Sequence, residues 1–195
     1  FKGTWLDTFK KESTWDQEFT LASGEKVQAP TMHQTDHLPY VAATINLGKD
    51  AVKVQVVRLG SAGGAEALVI LPEQATQAGL LATNLMKNDG VKQIEAIAGA
   101  TGVRKVALSL PKFSVESKTS IAEALKALGV RRAFTDDAEF PAISSTPLKI
   151  ADVLHAAKMI VDEKGTEAAA ATAVIMAPTS AAPGYEDEPV RMTVD

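Results

Sequence analysis

In this 195-residue chain the residue types with the best claim to chemistry are three histidines, because cysteine is absent altogether. His33 and His37 stand four apart with Asp36 between them. On a helix that spacing would put both imidazoles on one side and could begin a metal site. The surrounding TMHQTDHLPY is not a helical sequence, and Pro39 follows closely, so both are expected to be ordinary surface or loop histidines and no metal is expected. His155 lies in the apolar run LKIADVLHAAKMIV, where a buried, hydrogen-bonded histidine is the expectation. The glycine-rich GSAGG at 60–64 lacks the Gly-Lys-Ser/Thr ending of a phosphate loop and the spacing of a dinucleotide fingerprint, so it reads as a turn. No Gly-x-Ser-x-Gly elbow is present, and the acidic groups Asp136-Asp137 and Glu186-Asp187-Glu188 sit in loop-like surroundings that suit solvated charge. The absence of cysteine removes disulfides, thiolate nucleophiles and cysteine-based metal sites. These residues offer no catalytic constellation and imply no cofactor, so the chain is not expected to be an enzyme.

The elements that would carry these residues are mixed. Hydrophobic residues make up 46% and charged residues 23%, which excludes disordered and fibrous classes. With 20 Lys plus Arg against 24 Asp plus Glu, no excess positive charge is available for nucleic acid. No run approaches the roughly 18 apolar residues of a membrane helix, so no membrane contact is expected. Residues 15–71 are strand-like. Asp50 to Leu59 alternates, with Val52, Val54 and Val56 on one face, and Ala67 to Leu71 reads as its hairpin partner, buried on both faces. Residues 73–97 switch to three- and four-residue steps, which predicts two short helices. Val103 to Val115 alternates but contains Pro111, giving two strand pieces joined at the proline or an edge strand. Ser120 to Glu123 has the form of a capping box, and Gly129 should close the helix it starts. Residues 148–161 fit helix or strand equally on periodicity. The fold class is α+β, rich in antiparallel sheet.

The segment VDEKGTEAAAATAVIMAPTS at 161–180 would be a short surface helix on alanine propensity alone. Together with FKGTW at 1–5, LPKF at 110–113, a helix ending in KALG, the AF and acidic loop of 133–140, and VLHAAKMIV at 153–161, it resembles the successive C-terminal motifs of the serpin family, in order and spacing. The resemblance covers the whole chain and implies one part of a single serpin domain: a sheet and helix body at 1–162, the reactive-centre loop at 163–189 and a following strand at 190–195. It places Phe1 inside the family's main sheet and Asp195 before its last strands, so the remainder of a serpin chain is expected to complete the fold.

The implied function is inhibition of a serine protease by a suicide-substrate mechanism. The protease cleaves an exposed loop, and the loop then inserts as a new strand while still acylated to the enzyme. The hinge would comprise Glu163, Gly165, Thr166, Glu167, Ala168, Ala169, Ala170, Ala171 and Thr172. As a strand, Thr166, Ala168, Ala170 and Thr172 share a face that carries no charge. If insertion adds on the order of 12 to 15 ladder hydrogen bonds, the net gain is roughly 6–20 kcal/mol, comparable to the stability of a domain. The family's spacing puts the reactive bond at Thr179-Ser180, preceded by the bait Met176, Ala177 and Pro178, with Tyr185 or Arg191 as alternative cleavage points. A modest β-branched Thr179 suits an elastase- or subtilisin-like pocket. By the same resemblance, Trp5, Lys112 and Glu163 would latch the top of the sheet, and His155 would be a hydrogen-bonded gate beneath the opening strands, which makes 148–161 a strand. The alternative is a non-inhibitory serpin with a binding or chaperone-like role. The family allows a secreted setting, although no signal peptide is visible and the residues do not fix the compartment.

Overall fold

The computed structural model describes residues 3–21, 23–87, 90–166 and 188–195. In chain order its elements are β1 (Gly3–Thr4), β2 (Thr14–Thr20), β3 (Lys26–Leu47), β4 (Asp50–Gly60), β5 (Glu66–Pro72), α1 (Ala78–Leu85), α2 (Gly90–Gly99), β6 (Gly102–Pro111), β7 (Phe113–Ser120), α3 (Ala122–Ala127), β8 (Leu154–Asp162), β9 (Gly165–Thr166) and β10 (Val190–Thr193), with short 3-10 turns at 11–13, 75–77 and 132–134. They form two compact units, residues 1–113 with 160–195 and residues 114–159.

The first unit is built on β3. Its N-terminal part pairs with β2, its middle with β6 and its C-terminal part with β4, each antiparallel. The strand order is β10-β6-β3-β4-β5, with β2 also on β3. Only Gly48 and Lys49 separate β3 from β4, and Gly48 takes a φ of 84°, a conformation that costs a residue without Cβ little. The alternation expected for β4 is present: Val52, Val54 and Val56 are buried and join Ile45 and Leu81, with Leu85 and Ile97 of the two helices packed on them. The other cluster gathers Met32, Leu38, Val57, Val106, Leu108 and Met192 around Trp5 and Phe9. Arg58 ties α2 to the sheet, pairing with Glu66 at 2.6 Å and donating to the carbonyl of Ala98 at 3.0 Å.

One expectation is corrected in this unit and two open ones are decided. Residues 67–71 are half-buried, because β5 is the last strand in the order and is paired only with β4 among the described residues. Of the two alternatives for 103–115, the two strand pieces hold: β6 ends at Pro111, which has no N–H to give, and β7 begins at Phe113, while β6 is no edge strand because it lies between β3 and β10. Of the surface or loop positions expected for His33 and His37, both on strand β3, His37 is at the surface and His33 is half-buried. The pairing of β10 with β6 is parallel, an exception in an otherwise antiparallel sheet.

In the second unit β7 and β8 are neighbours, and β8 carries the chain into the first unit. The open choice for 148–161 falls to strand from Leu154 onward, with 148–153 irregular. The capping box does not form. Ser120 is the last residue of β7 and its hydroxyl donates to the carboxylate of Asp152, while Ile121 occupies the cap position of α3 without a side-chain bond. Gly129 does close that helix, at φ 101°, with Val130 N–H donating to the Leu125 carbonyl at 2.9 Å. No helix among the described residues is long and apolar enough to cross a membrane.

Candidate functional site: the hinge at the end of β8

At Asp162 the chain leaves β8, turns through Glu163 and Lys164, and returns as β9, with Asp162 opposite Gly165 and Val161 opposite Thr166. The Asp162 carboxylate accepts the Lys164 N–H at 2.8 Å, a local bond that favours the turn. The other side of β9 is taken by β1, where Gly3 faces Thr166 and Thr4 faces Gly165. β9 therefore lies between β1 and β8 as a two-residue central strand.

Gly165 has φ 138°, and a Cβ there would stand 1.9 Å from the Gly3 carbonyl oxygen. Only glycine fits so close an approach in that backbone region. Trp5, 4% exposed, fixes the turn from beneath: its N–H donates to the Lys164 carbonyl at 2.9 Å and its indole Nε1–H to the Asp162 carbonyl at 2.9 Å. Phe9 N–H donates to the Glu163 carbonyl at 3.1 Å. Three main-chain carbonyls of the turn thus have partners from one short N-terminal segment.

Glu163 is 7% exposed, and its Oε2 lies 2.8 Å from Lys112 Nζ. Burial is the largest influence on its carboxyl and pushes the pKa up, but the Lys112 bond, its own backbone N–H and the nearby Thr14 hydroxyl outweigh it and leave the pKa lowered. The Thr14 hydroxyl acts by proximity, as Oγ1 makes no hydrogen bond of good geometry. Lys112 is itself placed by its N–H, which donates to the Pro30 carbonyl at 2.8 Å.

Of the residues anticipated from the sequence, Trp5, Lys112, Glu163 and Gly165 meet here, with the backbone of Thr166. His155 does not match its expectation. It lies on β8 exposed to solvent, since most of that strand has no covering layer among the described residues. Glu167, Ala168 to Thr172, Met176 to Ser180 and Tyr185 lie outside the described residues. Arg191 is held in β10 opposite Ala107. The contributions of Thr14 and Phe9 had no sequence signal, because both act through geometry set by distant strands.

His33 is half-buried in β3, its ring stacked on Trp15 and its Nδ1 2.9 Å from Ser109 Oγ, while His37 is exposed. No group of three or more potential metal ligands occurs among the described residues.

The family model described as "Serpin (serine protease inhibitor)" matches residues 1–195. The plasma serine protease inhibitor of Bos taurus is 32% identical over 95% of this chain and 44% of its own length. A native protease nexin-1 crystallised with heparin superposes with a TM-score of 0.70 at 25% identity, over 100% of this chain and 49% of that one. A thyroxine-binding globulin complex with thyroxine gives the same TM-score, 0.70, at 23% identity over 100% of this chain and 48% of that chain, a likeness of fold alone. The chain spans about half the length of the curated relatives it matches.

Proposed function

The chain belongs to the serpin family, and from that premise we propose that the protein containing it inhibits a serine protease as a suicide substrate. The observation that supports this most directly is the position of β9. Gly165 and Thr166 are already paired on both sides, between β1 and β8, at the point where the loop begins. Successive residues added to such a strand gain ladder bonds with its two neighbours in alternation, so insertion has a nucleus and a direction. The chemistry is the protease's own: its serine attacks the Thr179 carbonyl, the amine of Ser180 leaves, and the acyl-enzyme is carried off by insertion before water can cleave it. The inhibitor contributes no catalyst and needs no cofactor. Thr179 points to an elastase- or subtilisin-like target, and an extracellular setting is proposed by analogy with a relative named as a plasma protein.

The test is a gel of the intact protein with such a protease. An SDS-resistant complex that forms only with the active enzyme supports the reading; cleavage after Thr179 with no complex overturns it. Thr166→Arg should convert inhibitor to plain substrate, because a charged residue would then stand at the head of the strand that the loop must extend. The second reading, a non-inhibitory binding role, is favoured by the fold shared with thyroxine-binding globulin. It predicts a melting temperature that does not rise after loop cleavage.

A further inference from the structure

We propose that His33 is a pH-operated fastener that holds the edge strand β2 onto β3 when neutral and releases it when protonated. The imidazole sits where three strands meet. On β3 it lies flat against the indole of Trp15 from β2, with ring centroids 3.7 Å apart and planes within 10°. Its Nδ1 is 2.9 Å from Ser109 Oγ on β6. Its Nε2 is buried and has no hydrogen-bond partner. Trp15 is 53% exposed, so the indole has water on its outer side and the histidine on its inner side.

Among the described residues lining this site there is no negative charge to hold an imidazolium, and the one acceptor for the ring is Ser109 Oγ. The shallow groove at this junction is lined by Ser13, Trp15, His33, Gln34, Ala107 and Ser109, together with Thr35 and Leu108, and none of these is charged. Besides His33, the charged and titratable groups of the three strands and the turn before β2 are Lys11, Glu12, Asp16, Glu18, Lys26, Asp36, His37, Tyr40, Arg104 and Lys105, and none of them lines it. A neutral imidazole with its one proton on Nδ1 donates to the Ser109 hydroxyl and leaves on Nε2 only an unpaired acceptor. A protonated ring has two N–H donors, and Nε2 then has a proton buried without an acceptor. Burial accordingly pushes the His33 pKa below its ordinary 6.5. Attraction of the cation to the indole face acts in the opposite sense, yet it supplies no acceptor for Nε2. The remedy is for the ring to swing to water, which ends the stack.

β2 is the strand that can respond. Among the described residues its only strand partner is β3. It also carries Thr14, next to Trp15, whose hydroxyl is near enough to Glu163 to favour the ionised carboxylate. Release of β2 therefore reaches the Lys112–Glu163 pair. This inference does not depend on which protease is inhibited, or on whether any is.

The test is a pH titration of the intact protein labelled with fluorotryptophan, whose Trp15 signal is assigned by Trp15→Phe. The Trp15 signal should shift toward its solvent-exposed value with a midpoint below 6.5, matching the midpoint of the His33 ring proton, and its acrylamide quenching should rise about two-fold or more. His33→Gln should abolish the transition. Ser109→Ala removes the one acceptor for the ring, so both midpoints should move down together, and this variant serves if His33→Gln does not fold. A Trp15 signal that stays constant while His33 titrates, or a transition that survives in His33→Gln, overturns the proposal.

Discussion

Lys112 Nζ and Glu163 Oε2 lie 2.8 Å apart across 51 positions of sequence, one between β6 and β7 and the other just after β8. The pair ties the end of β6 to the turn between β8 and β9. Because the carboxylate is the more buried partner, Glu163→Gln should cost about 1–3 kcal/mol, while Lys112→Gln should cost that or slightly more by leaving a buried charge without its cation. Urea denaturation of the intact protein checks both.

The same pair sets a pH dependence. The Glu163 pKa is lower in the folded protein than its ordinary 4.5, so the stability it contributes is complete above that value and is lost as pH falls through the folded pKa. Wild type should lose more stability than Glu163→Gln over this acid range, read as the difference between their unfolding free energies. Equal losses would mean that the pair does not contribute.

Trp5→Phe removes the donor to the Asp162 carbonyl and leaves space in the core cluster beneath it. The expected cost is about 2–3 kcal/mol. Faster amide exchange should appear at Gly165 and Thr166, the residues that this contact helps to position.

Gly165→Ala adds a methyl where the Gly3 carbonyl already stands, in a backbone region unfavourable to alanine. The β1–β9 pairing should break, at a cost of at least about 2 kcal/mol. In the proposed function the inhibited fraction should fall and the cleaved fraction rise, measured as complex against cleaved product on the same gel.

Thr179→Arg should redirect the proposed inhibitor. A guanidinium fits an acidic trypsin-type pocket and not an apolar elastase-type one, so association with trypsin should rise by at least about 100-fold and association with elastase should fall. Second-order association rates check this. No change in preference would place the reactive bond elsewhere.

The sheet elements were readable where burial on one face left a period of two, as in Val52, Val54 and Val56. The meeting of Trp5, Lys112, Glu163 and Gly165 was legible through resemblance to a family, since nothing in the spacing of Lys112 and Glu163 says that they meet. What failed did so for physical reasons. Ser120 has a hydroxyl equally suited to a helix amide or to a carboxylate, and the partner it chose, Asp152, is 32 residues away. His155 sits in a sequence apolar enough to be buried, but burial depends on a covering layer that local sequence does not encode. The β10–β6 pairing joins segments far apart in the sequence and carries no local signal.

The shared use of β3 has a kinetic consequence. Its pairings with β2 and β4 close short loops and can form early, whereas β6 must return over separations of roughly 60 to 80 residues before it can pair with the middle of the strand. Until then the central part of β3 offers an open row of amides and carbonyls, a surface that another chain could occupy. Assembly of this sheet is therefore a race between a late intramolecular partner and any neighbouring copy, and dilution or cooling during refolding should favour the monomer.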